Sequence, residues 1–195
     1  MLPHRAGRIG LDRILLPPFR MTTTPDSKEH LSGEAALEKA RSLLKNFRSA
    51  MLTTSVAGQI HARPMGLQGK ASEFDGSLWF FADDRATAVS EIAAGSTATL
   101  ILQSDGESAY LQLDGAAVVD PDRERMNELY TPLIKTWFPA GLDDPHLTLL
   151  RFDVTRGSFW ESPGGMVQVL AAFTKALVTG ERAQGGEMGD FDLRS

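Results

Sequence analysis

The chain has 195 residues, of which 42% are hydrophobic and 23% charged, as expected for one folded domain with additional segments. Its formal net charge of −5 argues against a nucleic-acid-binding surface, and no apolar stretch has the length of a membrane span. The absence of cysteine excludes disulfides, thiolate metal ligands and thiol nucleophiles, and it fits a cytoplasmic protein.

Residues 1–31 are predicted to form a flexible leader. Residues 1–20 carry four arginines against a single acid, Asp12, and Met21 begins a polar stretch typical of a disordered N-terminus. Two alternatives remain open: a transit peptide, or a first segment that does not belong to the native protein.

Order is predicted to begin at Ser32, which can cap a helix. The apolar positions of this helix recur at three- and four-residue steps: Leu37, Ala40, Leu43, Leu44 and Phe47. Residues 50–82 then read as three short strands, with turns at Ala57-Gly58 and Asp75-Gly76. Pro64 cannot donate to a ladder, so it marks an edge position or a bulge beside Arg63.

The next part of the chain predicts a short helix over residues 86–94, then strands over 97–103 and 110–119. Gly115 is a predicted bulge or point of close approach. Asp120-Pro121 is predicted to start a second long helix. Its apolar face would comprise Met126, Leu129, Tyr130, Leu133, Ile134 and Trp137.

A last strand is predicted over residues 149–160 and a helix over 166–178, followed by a loose tail over 181–195. These elements predict an α+β fold: a six-stranded antiparallel split β-barrel with flanking helices, over residues 32–180. The four histidines (His4, His30, His61 and His146) are far apart in sequence, so no metal site is expected.

In order and spacing, several segments resemble the FMN-binding split barrel of the pyridoxamine 5′-phosphate oxidase superfamily, and within it the general stress protein 26 branch. The resemblance covers residues 34–180. It is carried by residues 40–54 (ARSLLKNFRSAMLTT), 61–65 (HARPM), 78–83 (LWFFAD), 110–117 (YLQLDGAA), 159–165 (FWESPGG) and 177–181 (LVTGE).

The resemblance implies FMN as cofactor and a homodimer with the flavin at its interface. Arg63 would reach the phosphate or the flavin edge, with Pro64 and Met65 beside it. Phe81 and Ala82 would line the isoalloxazine slot, and Thr87 with Arg85 would serve the phosphate. Tyr110 and Trp160 would approach from the partner subunit.

Each of these roles has a structural alternative. Phe81 could be plain core, and Tyr110 and Trp160 could pack in any interface. Arg63 could form a surface ion pair, and Arg85 could be held by the neighbouring aspartates.

Two departures from the family pattern predict weaker FMN retention than a typical relative shows. Ala88 stands where a lysine is common, and Ala82 where a threonine is usual. The tail also lacks the Arg-Leu-x-Pro stretch of true pyridoxamine phosphate oxidases, which argues against that reaction.

Three functions remain open on the sequence alone. The first is a flavin-binding or flavin-sequestering stress protein without catalysis, and the second is a low-specificity FMN-dependent oxidoreductase or flavin reductase. The third is a related ligand such as deazaflavin or haem in the same pocket.

Overall fold

The computed structural model describes residues 29–104, 109–161 and 187–194. These residues form an α+β fold in which three helices accompany one sheet of eight strands. The strands are β1 (Glu29–Ser32), β2 (Ser49–Val56), β3 (Gln59–Gly66), β4 (Ser77–Asp83), β5 (Thr97–Ser104), β6 (Ala109–Val119), β7 (Leu147–Glu161) and β8 (Glu187–Asp192). The helices are α1 (Gly33–Leu44), α2 (Thr87–Ala93) and α3 (Arg123–Leu129), with 3-10 turns at Ala71–Glu73, Pro132–Thr136 and Gly141–Asp143.

The sheet follows the order β1-β8-β7-β6-β5-β2-β3. β7 is long enough to serve two partners along one edge, since β4 pairs with its first half and β8 with its second. All these pairs are antiparallel except β1 with β8. A bridge between Gln68 and Trp79 connects the segment after β3 to β4, but the ladders do not close into a continuous ring.

The predicted count of six strands is wrong, because β1 and β8 lie in segments predicted to be a leader and a loose tail. β1 starts at Glu29 and runs parallel to β8. β8 holds its place through Phe191, which is 1% exposed and packs in the main core. The glycine-rich tail therefore contains an ordered strand, although its composition is typical of a loop.

The predicted long helix after Asp120 is also wrong. α3 is capped by Asp122, whose carboxylate accepts the Glu124 and Arg125 amides, and it ends at Leu129. Pro132 disfavours helical geometry in the residue before it and starts a separate 3-10 turn. As a result, Leu133 and Trp137 are exposed instead of lying on a buried helix face.

The predicted turn at Ala57-Gly58 and the predicted irregularity at Gly115 are both confirmed. Ala57 and Gly58 both have positive φ, 50° and 80°, as a two-residue hairpin turn between β2 and β3 requires. The register between β6 and β7 shifts between Asp114 and Gly115, so the predicted irregularity is confirmed. The helix predicted over residues 166–178 lies outside the described residues.

The apolar interior has two parts. The main core packs α1 and α2 against the inner face of the sheet. A smaller cluster packs α3 and the following turn against β4 and β7, and its buried residues are Phe81, Met126, Leu129, Ile134, Leu147 and Leu149. No helix in the described residues combines the length and apolarity needed to cross a bilayer.

Candidate functional site

Arg63 lies in β3, the strand at the end of the sheet, where Pro64 is tolerated because β3 has a ladder partner on one side only. Arg63 is opposite Leu52, which is 1% exposed, so the two residues share the inner face of the sheet. Pro64 alternates to the outer face, opposite Met51.

Four polar side chains meet on this inner face, and we call them the Arg63 cluster: Thr54 from β2, His61 and Arg63 from β3, and Glu91 from α2. Arg63 Nη2 donates to Glu91 Oε2 at 2.7 Å and also to the Thr54 hydroxyl. Thr54 in turn donates to Glu91 Oε2. His61 Nδ1 lies 2.5 Å from the other carboxylate oxygen, Oε1.

Thr54, Arg63 and Glu91 are shielded from solvent, whereas the His61 side chain is 46% exposed. The Glu91 side chain is 8% exposed and that of Arg63 is 20% exposed. Hydrogen bonds from Thr54 and His61 and the charge of Arg63 hold the pKa of the Glu91 carboxyl below its ordinary value of 4.5. Arg63 Nε is buried without a hydrogen-bond partner in the described part of the chain.

This lowered pKa predicts a pH-dependent contribution of Glu91 to stability. A carboxyl whose pKa is lower in the folded than in the unfolded state stabilises the fold above the unfolded value, and the contribution is lost as pH falls through the folded value. We expect wild type to melt above Glu91→Gln at pH 7, with the difference shrinking below pH 4.5.

Thermal unfolding of both proteins between pH 7 and pH 3 measures this difference, and the remaining carboxylates are common to both and cancel. A difference in melting temperature that is the same at every pH would contradict the prediction.

The two predicted phosphate residues near α2 have different surroundings. Arg85 donates from Nε and Nη2 to the two oxygens of Asp83, at 2.8 and 2.5 Å, as its structural alternative predicted. Thr87 is the exposed first residue of α2, one turn before Glu91 and therefore on the same helix face. Ala88 is 3% exposed in the main core, so the residue at the position where a lysine is common brings no charge to the site.

The residues predicted to line the flavin slot point in different directions. Ala82 packs in the main core, and Met65 is partly buried against it. Phe81 points to the opposite side of β4 and lies in the smaller apolar cluster. Phe81 therefore matches its structural alternative within one protomer.

Tyr110 and Trp160 form a cross-strand pair on the outer face of the sheet, where they are 46% and 43% exposed. Two further exposed apolar residues, Met51 and Ile101, are paired with each other on the same face. We call these four residues the outer apolar face. It lies on the side of the sheet opposite Arg63, so Tyr110 and Trp160 of one chain do not join its Arg63 cluster.

A cavity of about 330 Å³ lies away from all these residues. It is bordered by the end of α1, the loop after β3, and α3, and its lining includes Phe47, Lys70, Trp79, Arg125 and Leu129. None of the nine predicted site residues lines it.

Three possible metal ligands, Asp83, Asp84 and His146, converge despite their separation in sequence. His146 Nδ1 lies 3.1 Å from Asp84 Oδ1. Both oxygens of Asp83 are engaged by Arg85, so a guanidinium already provides the positive charge at this group.

Sequence reasoning missed Glu91. The available signal was its position one turn after Thr87, between the apolar residues Val89 and Ile92 of a short helix. A carboxylate on the buried side of a helix requires a partner, because an unpaired charge is costly to bury.

The family model described as "Pyridoxamine 5′-phosphate oxidase like" matches residues 35–184, most of the chain. The chain belongs to this family. A candidate general stress protein 26 from Jannaschia sp. CCS1 is 30% identical, with a TM-score of 0.69 over 83% of this chain and 100% of that one.

Two Xanthomonas structures are also similar to this pyridoxamine 5′-phosphate oxidase like protein. A general stress FMN/FAD binding protein from Xanthomonas citri is 27% identical (TM-score 0.58, 66% of this chain and 90% of that one). A candidate general stress family protein from Xanthomonas campestris pv. campestris is 26% identical (TM-score 0.59, 68% and 91%). No curated protein matches the chain.

Proposed function

We propose that this protein is a cytoplasmic FMN-binding general stress protein, a split barrel that holds its flavin at a homodimer interface. The observation that carries the proposal is the buried Arg63 Nε, which has no acceptor in the described residues. A buried donor of this kind calls for a partner, and a flavin phosphate or ring edge provides acceptors. The Xanthomonas citri relative, an FMN/FAD binding protein, supports the same ligand class.

The residues on the inner side of β3 and at the start of α2 would hold the phosphate end. Arg63 would bind it, with Thr87 on the facing surface of α2, and Arg85 would take part once released from Asp83. Met65 would contact the ring system from the side of the sheet that carries Arg63. Pro64, Phe81 and Ala82 would line the slot through their backbone, because their side chains lie on the outer face, in the smaller apolar cluster and in the main core, respectively. The bound flavin would supply redox chemistry.

The outer apolar face supports the proposal of a homodimer. Met51 with Ile101 and Tyr110 with Trp160 form two exposed apolar pairs on one face of the sheet, and exposed apolar residues grouped in this way usually mark an interface. A two-fold symmetric pair of chains is the commonest way to cover it. Tyr110 and Trp160 would then reach the flavin of the partner subunit.

Binding without a dedicated reaction is the form of the function that we propose. His61 is the histidine beside Arg63, and its Nδ1 is engaged by the Glu91 carboxylate. It is therefore not placed to exchange a proton with a substrate through that atom.

Titration of flavin-free protein with FMN tests the proposal. We expect saturable quenching of flavin fluorescence at one FMN per chain, in a sample whose light-scattering mass is twice that of the chain. No quenching at tens of micromolar FMN would contradict flavin binding. Quenching by a monomeric sample would keep the flavin but contradict the shared interface.

A further inference from the structure

Arg63 is covered by a carboxylate of its own chain. The Glu91 side chain reaches from α2 to Arg63 Nη2 at 2.7 Å and is fixed there by Thr54 and His61. Arg63 and His61 are the basic residues paired with Glu91 in the described part of the chain. β6 also packs against α2, and its buried inward-facing leucines, Leu111 and Leu113, bring no charge to the cluster.

The pairing of Arg63 with Glu91 is incomplete. A guanidinium binds an anion best through two parallel N–H donors. Arg63 gives Glu91 only Nη2, while Nε stays without an acceptor. Glu91 therefore neutralises the charge of Arg63 but leaves one of its hydrogen-bond donors, Nε, without an acceptor in the described residues. An anion that accepts from both Nε and Nη2 can compete with Glu91 for the guanidinium.

The charges of the predicted phosphate residues cancel. Two of the nine predicted site residues are cations. Arg63 is paired with Glu91, and Arg85 is paired with Asp83. The Arg63–Glu91 pair has a formal charge of zero, and because its side chains are 20% and 8% exposed, little water is left to screen an added anion.

We propose that Glu91 sets the flavin specificity of this site, by holding the guanidinium that the FMN phosphate would bind. This inference rests on the proposed flavin-binding function. A phosphate must either displace the Glu91 carboxylate from Arg63, which breaks the ion pair, or lie beside the carboxylate, which places two negative charges together. Either cost in free energy cancels most of the gain from binding Arg63. The wild-type site consequently takes FMN with little advantage over riboflavin, which has the same ring and ribityl chain but no phosphate.

The test compares the dissociation constants of FMN and riboflavin, by fluorescence quenching, for wild type and Glu91→Gln. Glutamine keeps the length and hydrogen-bonding capacity of the side chain but leaves Arg63 with its charge. We expect the two wild-type constants to agree within about threefold, and Glu91→Gln to bind FMN about tenfold or more tightly than riboflavin. Riboflavin affinity should be unchanged by the substitution.

Glu73→Gln is the matched control, because it removes one negative charge from an exposed pair with Lys70. It should leave the ratio of the two constants as in wild type. If Glu91→Gln does not fold, the wild-type constants decide: near-equal values support the inference, and a tenfold preference for FMN overturns it.

Failure of this inference is distinguishable from failure of the proposed function. Flavins that bind while Glu91→Gln leaves their ratio unchanged overturn the role of Glu91 alone. No quenching by either flavin in any of the three proteins overturns flavin binding and the specificity inference together.

Discussion

Replacing Gly115 with alanine is expected to cost about 1–3 kcal/mol or more of unfolding free energy. Gly115 lies at the register shift between β6 and β7, where the strands approach closely. A Cβ at this position would lie 2.2 Å from the carbonyl oxygen of Asp153 and 2.7 Å from the ring of Phe152. Both neighbours belong to β7, and Phe152 is 1% exposed, so neither can move without displacing the centre of the sheet.

Gly66→Ala is the matched control, a glycine at the end of β3. A Cβ there would meet only the flexible amide of Gln68, at 3.5 Å. We expect it to be neutral or stabilising by about 0.4–1 kcal/mol, since alanine restricts the unfolded chain. Urea unfolding of the three proteins measures both changes. Equal stability of Gly115→Ala and Gly66→Ala would contradict the close approach at Gly115.

The elements that the sequence predicted well are those that local chemistry decides. The hairpin between β2 and β3 follows from Ala57-Gly58 and from alternating side chains on both strands. α2 ends at Ala93 and is followed by Gly95, whose φ of 80° stops the helix as the sequence pattern predicts. In each case the determining residues are neighbours in the chain, so an isolated segment contains the information.

The elements that it missed depend on distant residues. β8 is ordered because Phe191 is buried beside β7 and because β1 pairs along its other edge. Neither contact can be predicted from the composition of the glycine-rich tail. The predicted helix through Trp137 failed for a local reason: Pro132 was present in the sequence and outweighs the apolar periodicity around it.

The candidate site shows the same division. Pro64 placed Arg63 on an edge strand correctly, because the missing amide is a property of the residue itself. The partner of Arg63 is Glu91, which comes from a helix two elements further along the chain. Only the packing of α2 against β2 shows that the predicted phosphate cation is already paired.

Replacing Arg63 with alanine is expected to weaken FMN binding by about tenfold or more, with riboflavin binding little changed. The substitution removes the donor proposed for the phosphate and leaves the Glu91 carboxylate, 8% exposed, without its cation. The site then carries a net negative charge that repels a phosphate but not an uncharged ribityl chain. The same fluorescence titrations measure the two constants.

The double variant Arg63→Ala/Glu91→Gln separates charge from structure. It restores the formal charge of zero, so FMN and riboflavin should again bind within about threefold of each other, although the arginine is absent. The two single changes predicted above, a gain and a loss of about tenfold in FMN preference, also sum to about zero, so the double variant tests the charge balance of the site. A double variant that still prefers either flavin by about tenfold would contradict the electrostatic explanation. An equal loss of both flavins in Arg63→Ala would assign Arg63 a role in packing alone. An FMN preference that follows the net charge of Arg63 and Glu91 through all four proteins requires that both side chains act on the phosphate electrostatically, in opposite directions.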